Sequence, residues 1–238
     1  MTTTSRHRRR DVSRVEGFSD AVFGFAITLL VVSLEVPKTF HELLAMMRGL
    51  PAFGVSFALL FQIWWRHYSF FRRYDLEDSR VIALTGALLF VVLFYVYPLK
   101  FLWSLLFAPL QGEGRQAAAI SPQEVPILFA AYGVGVMAIS GILAALYSHA
   151  YRCREQLELT AVEIIRTRFD IYRNLAWTAI GFSSIVVALI LSIIAPQLAG
   201  LSGFVYFAIG ASEWTLGSYE GRQIRQQQES SQTALVAS

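Results

Sequence analysis

Asn174 to Ser212 reads NLAWTAIGFSSIVVALILSIIAPQLAGLSGFVYFAIGAS, a run without a single Asp, Glu, Lys or Arg. Drawn out as one helix at about 1.5 Å per residue it would measure nearly ~60 Å, about twice the roughly 30 Å of a bilayer's hydrocarbon core. The run therefore predicts two membrane crossings. Pro196 and Gly200 mark the turn between them, giving spans at 172–195 and 199–218.

Working outward, about 20 mostly apolar residues suffice for a span, and four more candidates appear at 17–36, 49–66, 80–107 and 125–149. The third of these contains Pro98 and Lys100, which predict a kink or a tilted end. The expected fold is an all-α integral membrane protein with six transmembrane helices, both termini cytoplasmic. Residues 1–16 form a basic cytoplasmic N-terminus, 17–218 the transmembrane domain, and 219–238 a polar cytoplasmic tail. That tail is rich in Gln, Ser and charge and is expected to be frayed or disordered.

Composition agrees. The chain is 55% hydrophobic and only 16% charged, with a mean hydropathy of +0.49, whereas a soluble domain carries about a quarter charged residues. A net charge of +3 would raise nucleic acid as a partner in a soluble protein. Here the arginines lie between apolar blocks and read as topology signals, so nucleic acid is excluded and membrane lipid takes its place. With the N-terminus inside, sixteen of the twenty Lys and Arg residues fall on the cytoplasmic side, leaving Lys38, Arg48, Lys100 and Arg115 outside, the asymmetry that fixes orientation. The first apolar run lacks a small-residue cleavage signature and is read as a retained helix. Between the fourth and fifth spans, 152–173 mixes charge with apolar residues and suits a surface helix or a cytoplasmic extension of its neighbours. Cys153 is the single cysteine, so neither an intrachain disulfide nor a Cys-based metal site can form.

The first span begins on polar ground, Arg14-Val15-Glu16-Gly17-Phe18-Ser19-Asp20, and runs into Ala21-Val22-Phe23-Gly24-Phe25-Ala26-Ile27-Thr28-Leu29-Leu30. A carboxylate inside the membrane costs about 2.5 to 3.5 kcal/mol even on the lenient insertion scale, so Asp20 needs a partner. Arg14 is one candidate; the Trp64, Arg66 and His67 cluster ending the second span is another. Alternatively, Ser19 and Asp20 occupy the first helical turn and satisfy its free amides.

Arg14, Phe18, Ser19 and Asp20, followed by Ile27-Thr28-Leu29-Leu30, resemble the signature of the transmembrane protein 175 family, endosomal and lysosomal potassium channels with prokaryotic relatives. Trp64-Trp65-Arg66-His67 resembles the family's second helix. The resemblance implies a prokaryotic member in the cell membrane, assembled as a homotetramer whose first helices line a central pore. It implies passage of potassium and other monovalent cations and needs no cofactor or resident metal. The Thr-Val-Gly-Tyr-Gly run of carbonyl filters is absent. By the same analogy Arg14, Phe18, Ser19, Asp20, Trp64 and His67 support the pore helix.

Helical spacing places Phe25, Leu29 and Val32 on one stripe with Phe18 and Val22, which by itself reads as lipid contact or core packing. The resemblance makes Phe25, Leu29 and Val32 a hydrophobic constriction that opens by wetting. Phe25 departs from the branched aliphatic residue expected there; its ring either tightens the closure or turns aside. Thr28 either contacts an ion or bonds its own helix backbone. Glu35 either rings the outer entrance or is an interfacial charge, and Glu213 is expected to pair with a cytoplasmic arginine.

A competing function is a proton-conducting or proton-coupled transporter using Asp20, His67 and Glu213, although the middles of the spans offer no ionisable relay. An enzyme is disfavoured, since no His-Glu-x-x-His or Gly-x-Ser-x-Gly motif is present. His7, His41, His67 and His149 are scattered over separate segments, which gives metal chemistry no footing.

Overall fold

A computed structural model describes residues 12–32, 36–108, 121 and 124–236. Among these the protein is helical throughout: α1 (Arg14–Val32), α2 (Phe40–Arg48), α3 (Leu50–Tyr74), α4 (Ser79–Phe107), α5 (Val125–Arg152), α6 (Ala161–Ile194), a 3-10 segment (Pro196–Tyr206) and α7 (Phe207–Val236). The helices α4, α5 and α6 are each long and apolar enough to cross a membrane; α2 and α3, bent by 46° at their junction, make a fourth if counted as one span. The chain divides into two compact units, 1–111 and 112–238.

In the first unit α1, α3 and α4 pack on one another. α1 buries Glu16, Ser19, Phe23, Ala26 and Leu30, at steps of three and four that keep one face inward. α4 answers with Val81, Thr85, Leu88, Leu89, Val92 and Val96, and Pro98 lies within this helix without ending it. The turn from α3 to α4 is tight for local reasons. Asp75 takes a left-handed conformation (φ 47°) after the last turn of α3, and the Asp78 carboxylate accepts the amides of Arg80 and Val81 at 2.9 and 3.0 Å, capping α4. Thr39 and Glu42 form a reciprocal capping box that starts α2.

The second unit is built on an antiparallel pair. α6 buries Thr167, Asn174, Gly181 and Ala188, seven residues apart, and α5 buries Gly133, Ser140 and Tyr147 at the same interval. Small residues let the two backbones approach closely: a Cβ added to Gly181 would lie 2.9 Å from the Gly133 carbonyl oxygen, and one on Gly133 would lie 2.8 Å from that of Gly181. The hydroxyls of Ser140 and Thr178 meet across the seam at 2.9 Å, while Thr178, Asn174 and Thr167 each donate to a carbonyl one turn back.

At the start of the apolar part of α6, Arg173 joins three carboxylates: Asp170 at 2.8 Å, Glu213 at 2.8 Å and Glu220 at 3.1 Å. Two of these stand on α7, so the guanidinium clasps α7 to α6. The pairing expected of Glu213 is thereby found.

Of the two readings of 152–173, the structure bears out the extension: α6 begins at Ala161, not 172, and a Thr160–Glu163 capping box sets that start. Two expectations change. α7 begins at Phe207, not 199, because Pro196–Tyr206 winds as a 3-10 segment. The stretch from 219 is helical to Val236 instead of frayed, since Gln, Glu, Arg and Ala are good helix formers and α7 is already nucleated upstream.

Two stability measurements check this packing. Gly181→Val should lose about 1–3 kcal/mol, the usual cost of overpacking, seen as a lowered melting temperature in detergent. Arg173→Gln, which strands three partly buried carboxylates, should lose roughly 2 kcal/mol, and Arg173→Lys, a point charge lacking the planar fork, should recover only part of it.

Candidate functional site

The supports of α1 meet at similar depth, as counting along the helices requires. Asp20 lies six residues into α1 and Thr85 six into α4, while His67 lies seven before the end of α3, which at about 1.5 Å per residue is roughly 9 to 10 Å in each case.

Asp20 accepts the Trp64 indole N–H at 2.7 Å. The indole is braced within a ladder of rings along α3, with Phe61 at 5.1 Å and Tyr68 stacked at 5.3 Å, which fixes the direction of its N–H. Of the two partners considered, the structure gives Asp20 the tryptophan; Arg14 is exposed. The first-turn alternative does not hold. α1 starts at Arg14 and its cap is Ser13, whose hydroxyl oxygen accepts the Glu16 amide at 3.1 Å. Asp20 is therefore past the first turn, and Ser19, fully buried, donates to the Val15 carbonyl at 2.7 Å.

His67 is 1% exposed. Its Nε2 lies 3.4 Å from the Thr85 hydroxyl, and its ring sits 5.9 Å from Phe23 of α1 and 4.9 Å from Phe71. Phe23 and Thr85 thus belong to the support as well, and sequence reasoning missed both. The signal for Thr85 was present: a hydroxyl inside an apolar span at the depth of a histidine on its neighbour.

The other face of α1 is open. Phe18 (64%) and Phe25 (67%) are exposed, as are Gly17, Ala21, Gly24 and Thr28, with Leu29 half-buried. Phe25 is thus on the open stripe and does not turn into the core. The Thr28 hydroxyl donates to the Phe25 carbonyl at 2.8 Å, the backbone bond foreseen as one of its two roles; its lone pairs are left on the open side. Val32 ends α1, and its side chain lies outside the described residues, as do Glu35 and residues 1–11. Among the described residues no group of three or more His, Cys, Asp or Glu could hold a metal ion.

Truncating the support should separate its parts. Trp64→Phe removes a hydrogen bond to a charged group and should lose about 1.5–3 kcal/mol in thermal unfolding of the purified protein. Asp20→Asn, which keeps an acceptor, should lose less. A silent Trp64→Phe beside a damaging Asp20→Asn would instead make Asp20 a helix-dipole charge.

The sequence profile of the family described as endosomal/lysosomal potassium channel TMEM175 matches residues 14–95, the part that holds this site. A Marivirga tractuosa protein named a potassium channel is 39% identical over 207 residues, covering 84% of each chain. A Chamaesiphon minutus potassium channel is 30% identical over 148 residues, 59% of this chain and 66% of its own. Among solved structures, a variant of the potassium channel MtTMEM175 bound to a nanobody–MBP fusion superposes with a TM-score of 0.79 at 35% identity, over 93% of this chain and 99% of that one. On the breadth of these matches the chain belongs to the TMEM175 family.

Proposed function

We propose that the protein is a passive, potassium-preferring cation channel of a prokaryotic cell membrane, a homotetramer of six-span subunits with cytoplasmic termini whose α1 helices surround the conduction path. The relatives are named potassium channels.

The observation that carries this reading is the character of the open face of α1. On α4 small exposed residues are confined to its start, Ala83, Gly86 and Ala87 among them, and the rest of the open face carries Phe90, Leu93, Phe94, Tyr97 and Phe101, large side chains suited to acyl chains. On α1 small residues recur along the whole face, at Gly17, Ala21, Gly24 and Thr28, beside Phe18 and Phe25. Small residues suit close approach of another helix, and a hydroxyl with outward lone pairs suits a dehydrating cation. Four copies would place Phe25, Leu29 and Val32 as stacked apolar rings, a constriction that conducts when wide enough to hold water. Thr28 would offer oxygens between two of those rings, and Glu35 would collect cations at the outer mouth. Ser19, Asp20, Trp64 and His67 would hold the helix that presents them, whereas Arg14 and Phe18, both exposed, would support it only against a neighbouring subunit. The transporter alternative gains nothing specific: Glu213, one of its three titratable groups, is engaged by Arg173.

In planar bilayers the reversal potential should follow the potassium gradient and ignore a proton gradient. Leu29→Ala should raise resting conductance on the order of tenfold, as loss of about 1.4 kcal/mol from a dewetting barrier would. A reversal potential that tracks pH would reject the channel, and a detergent-corrected mass of one subunit would reject the tetramer.

A further inference from the structure

Lys100 is the single charged residue of α4 beyond its first turn, set two residues after Pro98. Its ammonium nitrogen lies 3.3 Å from the Leu30 carbonyl oxygen of α1, and the bond spans 70 residues of chain. A cation at this place suits the helix it touches. Leu30 lies in the last described turn of α1, and the carbonyls toward the C-terminal end of a helix form the negative end of its dipole, where a positive side chain is favoured.

We propose that Lys100 is a positioning residue for conduction: it holds the outer end of α1 and so sets how Thr28 and Leu29 face the axis. This rests on the pore reading given above. The direction of the bond supports it. The Leu30 side chain is fully buried, on the side of α1 opposite Phe25, so the ammonium holds the helix from behind its open face instead of standing in the path of ions. The Trp64–Asp20 bond does the same ten residues earlier, about 15 Å along the axis. The helix is then pinned at two points with the narrow region between them. One pin fixes a position; two fix tilt and rotation, which decide the width of a ring of side chains.

The test uses Lys100→Met, which keeps the length without the donor, and Lys100→Arg, which restores a cationic donor. Both are made in the full chain with Cys153→Ser and a nitroxide on Val31→Cys, an exposed site on the last turn of α1. Reconstituted into liposomes, Lys100→Met should mobilise the label and change the potassium-to-sodium permeability ratio at least about threefold, and Lys100→Arg should return both to within about twofold. Label mobility and permeability both unchanged in Lys100→Met would overturn the proposal, as would a mobilised label with unaltered permeability. If the unsubstituted channel carries no potassium current, the pore reading has failed; label mobility then still shows whether Lys100 holds α1, and an unmoved label rejects that too.

Discussion

The hydrogen bond from the Trp64 indole to the Asp20 carboxylate sets the rotation of α1, and the function proposed for the molecule follows from that rotation. A carboxylate drawn away from water keeps its charge only beside a donor, so the side of α1 that carries Asp20 must face whatever can satisfy it. Ser19, Phe23, Ala26 and Leu30 are then committed to the interior, and Phe18, Phe25 and Thr28 are left facing out. A polar group near one end of the helix thus determines which apolar side chains are presented along the rest.

The two units solve the packing problem with different chemistry. The first relies on volume and rings: Phe61, Trp64 and Tyr68 brace the indole, and His67 is enclosed between Phe23 and Phe71. In the second, smallness does the work. Gly133 and Gly181 bring two backbones together, and hydroxyls along the seam return their protons to their own helices, so few polar atoms face the lipid. The dense electrostatic cluster among its described residues, Arg173 with Asp170, Glu213 and Glu220, attaches the last helix.

Much of this was legible in the residues because membrane hydrocarbon leaves so few options. Charge-free length located α4 and α5 closely and the end of α6, and the cost of a buried carboxylate named Trp64 among the partners of Asp20. What failed did so where local winding decides. Apolarity does not distinguish an α-helix from the 3-10 segment at Pro196–Tyr206, and polar composition does not reveal that a tail can continue a helix already begun. The Lys100–Leu30 bond was beyond sequence reasoning for another reason. Its acceptor is a main-chain carbonyl, which every residue has, so no side chain announces it.

The spacing of these contacts along the chain has a consequence for biosynthesis. α1 is made first, yet its tethers come from residues 44 and 70 positions later. At roughly 5 to 20 residues per second, Asp20 waits about 2 to 9 s for Trp64, and Leu30 about 4 to 14 s for Lys100. The earliest of the unit's helices to emerge is therefore fully tethered only when the last of them, α4, has been made.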